Sequence, residues 1–277
     1  MIIYKEITNY TELYAFHMNI KSPYISEVEY GDYLKSLFND TDSYGHKLFK
    51  ELHLIGAYSN EELIGFIQFG VTNIGFDDSG GISEKVNYSV IRNLYFEKRE
   101  IGETLLKTAL ILLKNEVYAF FHYFGMSCFS RHGKLSSNLQ EIEDLLLMNG
   151  FVSNEINVYY STELLEEEDT NIDIKFTDIN EQRIQKLIFE KDGEFVGEAE
   201  MHLVNENKAY LRWIYVSDNF RHLGYGSKCM RELKSYLRSI GIKRLDTDTA
   251  EDNIIAQKYY ERNGFINLGK TKSYLKK

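Results

Sequence analysis

The feature that most constrains this chain is that it repeats itself. Met148-Asn149-Gly150-Phe151 returns as Arg262-Asn263-Gly264-Phe265, each directly after a stretch of helical spacing. Leu63-Ile64-Gly65-Phe66 returns as Phe195-Val196-Gly197-Glu198, each just after an acidic turn, and Leu94-Tyr95-Phe96 returns as Ile214-Tyr215-Val216. Like segments in like order mean two copies of one structural plan. The 277 residues hold two domains of ordinary size, and 43% hydrophobic with 14% aromatic content is ample for a packed core in each.

Periodicity fills in the plan. In the first copy, strands are expected at 1–7, 53–58, 63–71, 88–96, 118–129 and 151–160, and helices at 11–20, 29–38, 102–115 and 139–148. Residues 59–62 read as a hairpin connection, and 73–84 and 131–137 as loops. The acidic run 163–171, centred on Glu166 to Asp169, reads as a linker. That gives domains at 1–162 and 172–277. In the second copy, strands are expected at 172–176, 183–190, 194–204, 209–216 and 243–249, with a last strand from Phe265. Lys191-Asp192-Gly193 is a tight turn.

One stretch of the second copy carries chemistry. Strand 209–216 runs through Ser217-Asp218-Asn219-Phe220-Arg221-His222-Leu223-Gly224-Tyr225-Gly226-Ser227 into a helix in which Cys229, Met230, Leu233, Tyr236 and Leu237 recur at helical spacing. Amides at a helix start lack intrahelical partners and carry partial positive charge, and glycine lets that backbone approach an anion. A lone Gly-x-Gly is weak. It is no P-loop, since Ser227 precedes Lys228, and no dinucleotide fingerprint, since Cys229 stands where a third glycine belongs. The second element is Asn253-x-x-Ala256-x-x-x-Tyr260-x-x-x-Gly264-Phe265, a short helix with Asp252 or Asn253 at its N-cap and a left-handed stop at Asn263-Gly264.

Together these two runs resemble the signatures of the GNAT superfamily of acyl-CoA-dependent N-acyltransferases, Arg/Gln-x-x-Gly-x-Gly/Ala followed by Asn-x-x-Ala-x-x-x-Tyr-x-x-x-Gly-Phe. Asp218 departs from the proline many members carry there. The resemblance implies an α+β fold of two GNAT-like domains in tandem, each a mostly antiparallel mixed sheet with one splayed parallel strand pair, flanked by helices. It also implies that acetyl-CoA is the cosubstrate, with no metal. Pantetheine would pair with the main chain of Ile214 and Val216 beside Tyr215. The pyrophosphate would rest on amides of Arg221, His222, Leu223, Gly224, Tyr225, Gly226 and Ser227. Asn253 would touch the pantetheine arm, act as an N-cap, or both. Tyr260 takes the general-acid position, a neutral phenol able to protonate the leaving thiolate; Tyr259 and Tyr260 could equally be core aromatics. Glu198, Glu200 and His202 alternate and so share a sheet face, either a solvated face or an acceptor site closed by the first domain. For the general base, Glu198, Glu200, Asp246, Asp248 and a water chain stay open.

The first copy keeps only Arg99-x-x-Gly102, has Thr104 in place of the last glycine, and sets Glu100 and Glu103 against any pyrophosphate. It reads as degenerate, with a loop about two residues shorter. The second copy has no room after its first strand for the two helices that usually wall the acceptor pocket. The resemblance implies a primary amine as acceptor, and its identity stays open: antibiotic, polyamine, amino acid or protein N-terminus. Alternatives are an acyl-CoA-binding regulatory or structural module without turnover, and an aminoacyl or longer-acyl transferase. The net charge of -10 disfavours a nucleic-acid or anionic-membrane partner. Cys128 and Cys229 form no framework and fall in apolar stretches, as for packing residues. No leader or membrane-spanning run is read. A cytoplasmic protein is expected, with a homodimer allowed.

Overall fold

The computed structural model describes residues 1–26, 28–41, 45–77, 79–130, 132–165, 171–180 and 183–277. They divide into two compact units, residues 1–156 with 271–277, and residues 157–270. The sequence reading put the joint at 163–171, of which 166–170 lie outside the described residues. Residues 157–163 already pair within the second unit, and the last residues of the chain pair within the first. Periodicity identifies a strand but not its partner, so this exchange of strands is invisible in it.

The first unit runs β1 (Ile2–Glu6), α1 (Tyr10–Met18), α2 (Tyr30–Asn39), β2 (Phe49–Ser59), β3 (Glu62–Thr72), the two-residue strands β4 (Gly75–Phe76) and β5 (Ile82–Ser83), β6 (Ser89–Phe96), α3 (Arg99–Leu112), β7 (Val117–Ala119), β8 (Leu135–Ser136), α4 (Gln140–Met148) and the start of β9 (Val152–Glu163). β1, β2, β3 and β6 are antiparallel neighbours. β6 and β7 are parallel, and Tyr274 to Lys276 at the chain end lie antiparallel to β7. The β2–β3 hairpin turns on Asn60 and Glu61, both at positive φ, as a two-residue turn matched to strand twist demands. Three expectations need correction. The loop 73–84 contains the small β4–β5 hairpin. Arg131 lies outside the described residues, but the loop after it contains β8. The strand expected at 118–129 is strand only to Ala119: Phe120 takes φ +55, and two 3₁₀ turns follow at His122–Phe124 and Ser127–Phe129. Its aromatics alternate as in a strand but fill space, with Phe120, Phe124 and Phe129 buried.

The second unit continues with the rest of β9, then β10 (Asp173–Phe176), β11 (Ile184–Lys191), β12 (Glu194–Leu203), β13 (Lys208–Val216), α5 (Tyr225–Ser239), β14 (Arg244–Ala250), α6 (Ile254–Arg262) and the start of β15 (Ile266–Lys276), whose residues from 271 on belong to the first. Strand order is β9–β14–β13–β12–β11–β10, antiparallel except for β13–β14. One sheet face supplies Leu187, Phe189, Val196, Ala199, Met201, Leu211 and Leu245 to the core. Against it pack Cys229, Met230, Leu233 and Leu237 of α5 and Tyr260 of α6, the helical stripe read from the sequence. Both cysteines are buried and free. The other face is polar, and among the described residues no helix lies between β10 and β11. On that face Asp246, fully buried, accepts from Lys208 Nζ at 2.8 Å, Arg244 Nε at 2.7 Å and Tyr159 Oη at 2.8 Å. Burial alone would raise its pKa, but the two cations outweigh it and hold the carboxyl below the usual range.

Acid should weaken the first unit. Glu155 bonds His122 Nδ1 at 2.9 Å and the buried Lys134 at 3.0 Å. The His122 bond leads in pulling its pKa from 4.5 to about 2, against burial. His17, buried among Tyr33, Phe66, Tyr95 and Phe129, falls to about 3, first by burial and then by Arg92. Both folded values lie below the unfolded ones. Their stabilisation is therefore complete above about pH 6.5 and is lost as pH falls toward 2–3. Melting temperature should drop steadily below pH 6, and Glu155→Gln, though less stable at pH 7, should lose less between pH 5 and 3. Parallel curves for the two proteins would refute the assignment to Glu155.

Candidate active site

The two parallel strands of the second unit part company at a defined residue. β13 and β14 pair from Lys208↔Arg244 to Leu211↔Thr247 and no further. Beyond that point β13 pairs only with β12 and β14 only with β9. A bulge marks the place: Met201 opposes Leu211 while Glu200 opposes Trp213, so Arg212 is the extra residue. Bulges end pairing and re-aim a strand. Ile214, Tyr215 and Val216 line one arm of the resulting V, with no β14 rung opposite them, and Asp248, Thr249 and Ala250 line the other.

At the mouth of the V the chain passes through 217–224 into α5. Gly224 is the N-cap at φ +84, a conformation that favours glycine. Gly226 has a tighter reason: a Cβ there would stand 3.2 Å from the Tyr259 ring, whose hydroxyl donates to the Gly226 carbonyl at 2.8 Å. Arg221 folds back, donating to the Val216 carbonyl at 2.9 Å, pairing with Asp218 at 2.7 Å and covering the Tyr215 ring. Its side chain braces the loop, while His222 at φ +61 turns the backbone into the helix. Leu223 is exposed, Tyr225 accepts a bond from Lys191 at 2.9 Å, and Ser227 sits in the first turn of α5. The result is a helix start with free amides beside the open end of the V.

The adjacent tyrosines divide their roles. Tyr259 holds the helix start; Tyr260, 6% exposed, hydrogen-bonds Thr247 at the apex of the V. Burial raises the Tyr260 pKa, the Thr247 bond opposes it, and the Asp248 charge adds to it. Thr247 in turn donates to the Leu211 carbonyl at 3.0 Å, tying the last paired rung. Asn253 caps α6, its Oδ1 accepting from Ala256 N at 3.1 Å.

The four candidate carboxylates are in different situations. Asp246 is consumed by Lys208 and Arg244. Glu200 pairs with Arg212 at 2.7 Å. Glu198, half-buried opposite Tyr215, has no ion pair among the described residues. Asp248 is the first residue of its strand beyond the split, and its two oxygens accept from Tyr210 Oη and Asn157 Nδ2. Sequence reasoning could name Asp248 but not rank it, and it missed Thr247 and Arg212. The repeat held the signal for Arg212: aligning Leu94-Tyr95-Phe96 with Ile214-Tyr215-Val216 puts Arg92 in register with it, and Arg92 is also a bulge residue, between Gln68↔Asn93 and Phe69↔Ile91.

In the first unit the same place is filled. β6 and β7 separate after Ile91↔Ala119. The Arg92 guanidinium then binds the carbonyls of Phe124 at 2.7 Å, Gly125 at 3.1 Å and Ser36 at 2.9 Å, along with the Asp40 carboxylate, pinning the chain across the opening. Only residues 97 and 98 separate β6 from α3, so Arg99-x-x-Gly102 lies inside the helix. This corrects the expected loop, which is far more than two residues shorter than 217–224. The Phe96 ring lies against Gly102, where a Cβ would fall 2.3 Å from it.

The sequence profile of the acetyltransferase (GNAT) family matches residues 151–265. Among solved structures, the chain is similar to a tandem GNAT protein from the clavulanic acid biosynthesis pathway, at TM-score 0.66 and 10% identity over 99% of this chain and 98% of that one. It is also similar to a GCN5-related N-acetyltransferase from Sphaerobacter thermophilus (0.57, 9%, 99% and 95%) and to a GNAT-family acetyltransferase from Colwellia psychrerythraea (0.53, 14%, 99% and 98%). Among curated proteins no sequence matches. Residues 151–265 thus carry the GNAT family profile, and the chain shares the fold of a tandem GNAT protein. Among the described residues no helix is long and apolar enough to cross a membrane.

Proposed function

We propose that the second unit transfers an acetyl group from acetyl-CoA to a primary amine, with one active site per chain. The observation that carries this is the open V between β13 and β14 beside a helix start, against a pinned opening in the first unit. Pantetheine lies along Ile214, Tyr215 and Val216 as a pseudo-strand, bonding main-chain groups that β14 leaves unpaired. Amides of 221–227 hold the pyrophosphate, and Asn253, as the α6 cap, borders the arm.

The amine nitrogen attacks the thioester carbonyl, a C–N bond forms, and collapse breaks the C–S bond. Tyr260 gives its proton to the departing thiolate. Its raised pKa keeps it protonated throughout the physiological range. The proton shed by nitrogen goes to a carboxylate on the polar sheet face, and both groups then re-equilibrate with water. Glu198 and Glu200 share that face, but Asp248 is best placed to receive it, since it stands at the split and each oxygen is oriented by only one donor. An anionic face suits an acceptor that arrives as an ammonium ion and gives up a first proton to water before the neutral amine attacks.

Titration calorimetry with acetyl-CoA should give one site per chain, and free thiol should appear with a panel of primary amines. In Gly226→Glu the carboxylate enters the pyrophosphate cradle, costing several kcal/mol of binding. Gly226→Ala adds only a Cβ that nudges the Tyr259 ring and should lose far less. Two sites, or unchanged affinity in Gly226→Glu with far-UV circular dichroism preserved, would overturn this reading.

A further inference from the structure

Thr247 occupies the last rung that β13 and β14 share, opposite Leu211, and is fully buried. Its hydroxyl carries one proton and two lone pairs. That proton goes to the Leu211 carbonyl at 3.0 Å, so in the bond with Tyr260 the phenol donates and Thr247 accepts. The main chain of β13 thus orients Thr247, and Thr247 orients the phenol, at the point where the strands part.

The first unit builds the same corner without either hydroxyl. Its last shared rung is Ile91↔Ala119, so Ala119 stands where the second unit has Thr247. Counting back from the repeated Asn-Gly-Phe at 149–151 and 263–265 puts Leu146 in the place of Tyr260. Leu146 is buried in α4 as Tyr260 is in α6. The helix stop is kept in both units, while the hydroxyl pair is absent as a pair from the unit whose opening Arg92 pins. An apolar rung with an apolar helix residue folds this corner as well, so packing does not call for the hydroxyls.

We infer that Thr247 is the positioning residue of the acid, a role that rests on the Tyr260 assignment made above: it holds the phenol at the apex before proton transfer and stabilises the phenolate afterwards. As the C–S bond breaks, the Tyr260 O–H bond breaks and an S–H bond forms, leaving the charge on the phenolic oxygen. Rotation about the Thr247 Cβ–Oγ bond then turns its proton from the Leu211 carbonyl to the phenolate. Water returns a proton to Tyr260, and the Thr247 hydroxyl turns back. A buried phenolate without a donor is costly. Burial raises the Tyr260 pKa, the Thr247 bond works against it, and the Asp248 charge adds to it, as a donor to the charged form requires.

The test uses the full chain and follows thiol release from acetyl-CoA with 1,4-diaminobutane, benzylamine, lysine or a peptide with a free N-terminus, whichever reacts fastest. Thr247→Val keeps the shape and removes the hydroxyl. It should lower kcat roughly 10- to 100-fold, the equivalent of one hydrogen bond to a charged group, with KM for acetyl-CoA held. Thr247→Ser restores the hydroxyl and should recover most of kcat. Thr247→Ala, the residue of the first unit, replaces the valine variant if far-UV circular dichroism shows that valine does not fold. Coupling decides the route: added to Tyr260→Phe, the Thr247 substitution should lower kcat no further, because it acts through the phenol. A large loss in Tyr260→Phe with none in Thr247→Val overturns the role of Thr247 alone, as do additive losses in the double variant or a loss that serine fails to recover. A hydroxyl that only satisfies a buried phenol would lower the melting temperature and spare kcat. If Tyr260→Phe leaves kcat intact, the acid assignment fails first and the role of Thr247 falls with it; no thiol release from wild type overturns both.

Discussion

Tyr260→Phe should lower kcat by roughly 10²–10⁴ while leaving KM for acetyl-CoA nearly unchanged. The substitution removes one oxygen and keeps a ring that packs against Tyr160, Tyr259 and Phe265. What it deletes from the folded state is the bond to Thr247, a loss of about 1 kcal/mol. A residue that only packs would therefore change turnover by no more than a small factor. The neighbour supplies the contrast. Tyr259→Phe deletes the bond to the Gly226 carbonyl, so its effect should appear as weaker acetyl-CoA binding through a loosened helix start, with kcat held. The pH profile adds a second reading. Burial places the Tyr260 phenol above its ordinary range, so kcat should show no alkaline fall attributable to it below about pH 10. A drop in kcat for Tyr259→Phe with none for Tyr260→Phe would exchange the two assignments, and small effects in both would leave water to protonate the thiolate.

The difference between these two tyrosines also marks how far the sequence could be read. Local chemistry was legible because it is local. Gly224, the Asn253 cap and the Asn263-Gly264 stop each declare a backbone conformation within a few residues, and each is found. Long-range pairing was not legible. Asp246 and Asp248 sit two apart on one strand and point to one face, so sequence treats them alike. What separates them is Lys208, which neutralises the first from a neighbouring strand, and the end of the β13–β14 rungs, which leaves the second at an opening. The first unit shows the same limit. Residues 118–129 alternate convincingly, yet Arg92, from another strand, claims the carbonyls of Phe124 and Gly125 and turns the segment into a plug. Degeneracy was visible at Thr104, but its physical form, a ring of Phe96 on the helix start and a guanidinium across the split, needed the tertiary structure.

That ranking of carboxylates makes Asp248→Asn the sharpest test of the acceptor side. The amide is isosteric and uncharged, so Tyr210 can still donate to its oxygen. Its new NH₂ would face the Asn157 NH₂, but Asn157 can rotate its own amide and present oxygen instead, which keeps the local network whole. Folding stability should therefore change little, and acetyl-CoA affinity less. Turnover should fall by roughly 10²–10⁴, the range for loss of a positioned base. The loss should shrink as pH rises toward the pKa of the acceptor amine, because more of the acceptor then arrives already neutral and has one proton to shed instead of two. Asp246→Asn should behave in the opposite way. It strands Lys208 and Arg244 beside a neutral partner, and removing one member of a buried ion pair typically costs about 3–5 kcal/mol of stability. Glu198→Gln and Glu200→Gln complete the set. If either of them, and not Asp248→Asn, shows the large loss that fades with rising pH, the proton leaves along β12 and the role assigned to Asp248 passes to that glutamate.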